Sequence, residues 1–119
     1  MSVFQEQVTG DFEIFEKYFI SSVEKQLGST RLAGKQCFDK DHFILHMYVL
    51  EKYFWRNNTY SSLTLTLSQD KDIITVTAIA SGSGVGLLGF DWGADERAIH
   101  AVKQAIEQWN GKLGKKKPQ

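Results

Sequence analysis

Cysteine occurs once in the 119 residues, at Cys37, so an internal disulfide framework is excluded. Excess charge is missing too: fourteen Lys and Arg balance fourteen Asp and Glu. Nucleic-acid-binding domains carry a basic footprint, so nucleic acid is not an expected partner. No run of about twenty apolar residues is present to span a bilayer. Met1–Glu6 has no basic segment followed by an apolar stretch, so neither a signal peptide nor a membrane partner is expected, and the expected location is cytoplasmic. Internal repeats and low-complexity tracts are also absent. Asn57-Asn58-Thr59 fits the N-glycosylation pattern but, without a secretion route, reads as a turn.

What remains is an ordinary globular composition, 42% hydrophobic and 24% charged, in a chain long enough for one core. The expected layout is one domain over residues 1–111 and a basic tail over 112–119, where Lys112, Lys115, Lys116 and Lys117 precede the only proline, Pro118. The apolar period changes twice along the chain. Phe12, Phe15, Phe19 and Val23 recur at helical spacing after Thr9-Gly10-Asp11, which supplies capping chemistry, and Gly28 is a natural stop. From Arg31 to Ser81 the period is two. Leu63, Leu65 and Leu67 read as inward, and Ser62, Thr64 and Thr66 as outward. Ala98, Ile99, Val102, Ile106 and Trp109 then restore a helical stripe over Ala94–Leu113. With Val3–Val8 as an edge strand, the expectation is an α+β domain: strand, helix, four-stranded antiparallel meander, helix, both helices on one sheet face.

His42–Phe54 is the ambiguous segment, because both of its faces are apolar. Ile44, Tyr48, Leu50 and Phe54 share one face, and Phe43, Leu45, Met47, Val49 and Tyr53 the other. If the first group lies on the open face of the sheet, it forms an exposed apolar patch of the kind that marks an interface. Glu51 and Lys52 interrupt this strand and read as fraying towards the next turn.

Two motifs bear on chemistry. Gly84-Val85-Gly86-Leu87-Leu88-Gly89 matches the dinucleotide fingerprint literally, yet no strand follows the last helix to complete a nucleotide-binding unit. It reads as a flexible crossover, or as an anion-binding turn at a pocket mouth lined by Leu87, Leu88, Phe90 and Trp92. Cys37, His42 and His46 would suit a metal site if the Asp39–Asp41 turn set Cys37 opposite His42, but scattered histidines are the simpler account. No nucleophile–base pair is legible, and no cofactor is implied.

Glu51-Lys52-Tyr53-Phe54, Asn57-Asn58, Leu63–Leu67, Ala78–Gly84 and Asp95-Glu96 together resemble a family of small bacterial proteins of unknown function, from about Val3 to Asn110. The resemblance implies a bacterial cytosolic setting and no catalytic residue. The element order it implies looks like that of TATA-binding-protein-like folds, a group too varied to supply a function. The expected role is a non-enzymatic binding module for a small apolar or amphipathic ligand or a protein partner, a homodimer through the sheet face included. Ile44, Tyr48, Leu50, Phe54, Gly84, Gly86, Leu88 and Trp92 are its candidate contacts. The alternative is a small enzyme with an anion- or metal-assisted site at the glycine loop or at Cys37, His42 and His46.

Overall fold

A computed structural model describes residues 2–54, 59–83 and 92–116. Strand β1 (Ser2–Thr9) leads into helix α1 (Phe12–Leu27). Four strands follow: β2 (Arg31–Lys40), β3 (Phe43–Phe54), β4 (Thr59–Asp70) and β5 (Ile73–Ser83). Helix α2 (Trp92–Lys116) comes last. All neighbouring strands are antiparallel, in the order β1-β5-β4-β3-β2. The expected α+β architecture is the one found, and β1 is an edge strand as its short apolar run implied.

Local chemistry sets the element ends. The Asp11 carboxylate accepts from the Ile14 amide at 3.0 Å and caps α1. At the other end Gly28, at φ 81°, turns its amide back to the Glu24 carbonyl, 3.0 Å away. The Lys52 ammonium donates to the Leu27 carbonyl, placing a positive charge at the negative end of the helix. In β2 the register shifts between Leu32 and Gly34, the bulge that a glycine inside a strand often marks.

Both helices lie on one face of the sheet. Phe15, Phe19 and Val23 of α1 and Val102, Ala105, Ile106 and Trp109 of α2 close over Leu63, Leu65, Leu67, Ile74, Val76, Ala78 and Ala80. Each large side chain buried this way contributes about 1.5–3 kcal/mol. Small residues are buried on both sides of this layer, Ala78 and Ala80 on β5 and Ala98 and Ala105 on α2. Trp109 locks the ends of the chain together. Its indole N–H donates to the Thr9 carbonyl at 2.9 Å, and its ring meets Phe15 edge-on at 5.2 Å.

The register corrects the expectation for β3. Tyr48 lies opposite Leu65 and Leu50 opposite Leu63, so Tyr48 and Leu50 share the helix-covered face with the inward leucines. Both are buried, and Ile44 packs at the margin of the same core. The apolar residues left on the open face are those of the other set, Phe43, Leu45, Met47, Val49 and Tyr53. Alternation assigns residues to faces but does not say which face is covered; the pairing with β4 decides that.

Candidate functional site

Two features stand at opposite ends of β3. The first centres on His46, whose Nδ1 lies 2.5 Å from a Glu16 oxygen and whose Nε2 lies 3.0 Å from Asp39. The Tyr48 hydroxyl donates to the same Glu16 oxygen at 2.5 Å. The ring of Phe12 meets the imidazole edge-on at 5.1 Å. His46 and Glu16 are each only 14% exposed, which strengthens charge-assisted hydrogen bonds between them. Burial, then the hydrogen bond and charge of Glu16, push the Tyr48 hydroxyl well above its ordinary pKa of 10.0.

Chemically the cluster is a clasp. Both imidazole nitrogens are engaged by carboxylates, so neither offers a lone pair to a metal ion or a substrate proton while those bonds hold. Cys37 lies opposite His46, not opposite His42 as the metal-site alternative required, because the turn is the two-residue Asp41-His42. Asp41 takes the left-handed conformation there, at φ 47°. Among the described residues no group of three or more His, Cys, Asp or Glu side chains is placed to hold a metal ion. The clasp ties α1 to β3 and to the exposed strand β2.

The second feature is a cavity of about 300 Å³ where the C-terminal end of α1, the early turns of α2 and the ends of β3 and β4 converge. Leu50 and Leu63 line it from the sheet beside the hydroxyl of Ser61, a buried polar residue. Leu27, Ala98 and Ala101 add apolar walls. Lys52, Arg97 and His100 bring positive or protonatable groups to it. Among the described lining residues the one carboxylate is Glu51, already paired with Arg31 at 2.7 Å.

Of the residues expected to form a site, Leu50 lines this cavity while Tyr48 belongs to the clasp. Ile44 lies at the core margin and lines neither. Phe54 ends β3 and Trp92 begins α2, and Gly84, Gly86 and Leu88 lie outside the described residues. Glu51 and Lys52 are not a frayed end: β3 continues paired to Phe54, and both side chains have partners. Sequence reasoning missed Glu16, Asp39, Arg97 and the role of His100. For Glu16 a signal was available, since it stands four residues after Phe12 and three before Phe19, on the border of the apolar stripe.

No helix among the described residues is long and apolar enough to cross a membrane. No curated protein and no solved structure matches the chain. One match spans nearly all of it, residues 1–110, and by that match the chain belongs to a family of unknown function (DUF6054).

Proposed function

We propose that this domain is a non-enzymatic binding module whose cavity takes a small amphipathic anion, an organic acid with an apolar body. The carrying observation is the cavity itself: apolar walls from Leu27, Leu50, Leu63, Ala98 and Ala101, cations from Lys52 and Arg97, and, among the described lining residues, a single carboxylate already paired with Arg31. Its volume of about 300 Å³ is at the lower end of the range for small-molecule sites. A site of this build orients a carboxylate by charge and holds the remainder by burial. An enzymatic reading has less support, because both nitrogens of the half-buried His46 are occupied by carboxylates. A bacterial cytosolic setting belongs to the same reading, supported by the family resemblance and by the lone cysteine.

Titration of the protein with octanoate and with octanol, followed by calorimetry and amide chemical shifts, tests this. The acid should bind once per chain, move the amides of Leu63, Ala98 and Ala101, and bind about tenfold more tightly than the alcohol. Arg97→Ala should weaken the acid alone, and Ala101→Leu, which fills the cavity, should weaken both. Absence of shifts at these amides, or binding unaffected by Ala101→Leu, rules the site out.

A further inference from the structure

The sheet face opposite the helices has an order that packing of this chain alone does not explain. The registers arrange its side chains in rows across all five strands. One row reads Phe38, Leu45, Ser68, Thr75, Gln7; the next Gln36, Met47, Thr66, Thr77, Gln5; the third Gly34, Val49, Thr64, Ile79, Val3. These three central rows contain no charged residue, in a chain where charged residues make up 24%. Charge returns only towards the ends, with Lys40 and Asp70 flanking Phe43 in one row and the Arg31–Glu51 pair near the other end. Phe38, Phe43, Met47, Tyr53, Ile79 and Val3 are all exposed. A charge-free centre inside a charged rim is the anatomy of a protein interface.

We infer that this face pairs with the same face of a second copy of the chain. Area and charge select that occupant. The strands are 8 to 12 residues long. At about 4.8 Å between strands and about 3.3 Å per residue, the face covers about 800 Å², which is what one partner contributes to a standard-sized stable interface. The centre is neutral and asks for no partner of opposite sign. A second copy presents the same neutral centre, and two-fold symmetry, the commonest symmetry of soluble oligomers, sets one over the other. A two-fold axis running across the strands along the central row lays β3 and β4 on their own copies, with Met47 and Thr66 each facing its counterpart. This inference uses the face opposite the cavity and stands or falls apart from it.

Sedimentation velocity across the micromolar range tests it, with wild type, Met47→Lys, Thr66→Lys and Ile14→Lys. Met47 and Thr66 occupy the central row, whereas Ile14 is an exposed apolar residue of α1. The wild type and Ile14→Lys should be dimers. Each central-row variant should weaken the dimer by about a hundredfold, because two like charges then meet across the axis. Circular dichroism reports that each variant is folded, and either central-row variant alone suffices. A wild-type monomer at every concentration overturns the proposal and leaves the face to a different protein. A dimer that survives both central-row lysines, or fails with Ile14→Lys as well, overturns it by placing the contact elsewhere.

Discussion

Tyr48 shows how one side chain couples the fold to pH. Its hydroxyl is held protonated by burial and by Glu16, so the folded chain keeps this proton where the unfolded chain has already lost it. Stability from this group is therefore fully present below the ordinary pKa of 10.0 and is lost progressively as pH rises beyond it. Unfolding free energies of wild type and Tyr48→Phe from urea denaturation should differ most at neutral pH, by about 1 kcal/mol for the lost hydrogen bond, and converge above pH 10. Gly10 carries a different constraint. At φ 133° it is in a region that side chains avoid, and a Cβ there would stand 2.7 Å from the Trp109 ring. Gly10→Ala should cost about 2–4 kcal/mol in chemical denaturation, from overlap and backbone strain together. Asp11 was legible as a cap from its place before an apolar stripe, but nothing local to Gly10 reveals a tryptophan about a hundred residues away.

Among the elements, β2 is the one held least by burial. None of its residues is buried, and it is paired only with β3. The Asp39–His46–Glu16 chain is its side-chain link to the helical layer. Glu16→Gln keeps the shape of the side chain but removes the charge that faces both His46 and Tyr48. It should lower stability by about 1–3 kcal/mol, measured by thermal or urea unfolding. Asp39→Asn, at a more exposed position, should leave global stability nearly unchanged and speed hydrogen exchange of the β2 amides. Sequence periodicity located every element, because strict alternation in β4 and helical spacing in α1 and α2 leave little choice. The covered face of β3 was not legible: with apolar residues on both sides, its orientation is decided by the leucines of β4. The clasp was hidden for a related reason, since Glu16 and His46 are thirty positions apart and meet only once α1 lies over β3.

At the scale of the molecule, one face of the sheet is closed by two helices and the other carries side chains suited to contact. Of the cavity at the end of the helical layer only Leu50 was among the expected contacts; Lys52 read as fraying, and Arg97 and His100 reach the cavity only through the placement of α2. The strand order also dictates how the chain must be assembled in time. The first strand is completed by the last, Val3 pairing with Ile79, and Trp109 fastens Thr9. The β2–β5 meander is built from local hairpins that close early, whereas β1 and α2 join through distant contacts and close late. A chain emerging from the ribosome thus displays Leu63, Leu65, Leu67, Ile74 and Val76 before the helix that covers them has been made. Fragments ending before Trp92 should accordingly appear in the insoluble fraction on expression, and recruitment of a nascent-chain chaperone should peak during synthesis of the segment between β5 and Trp109.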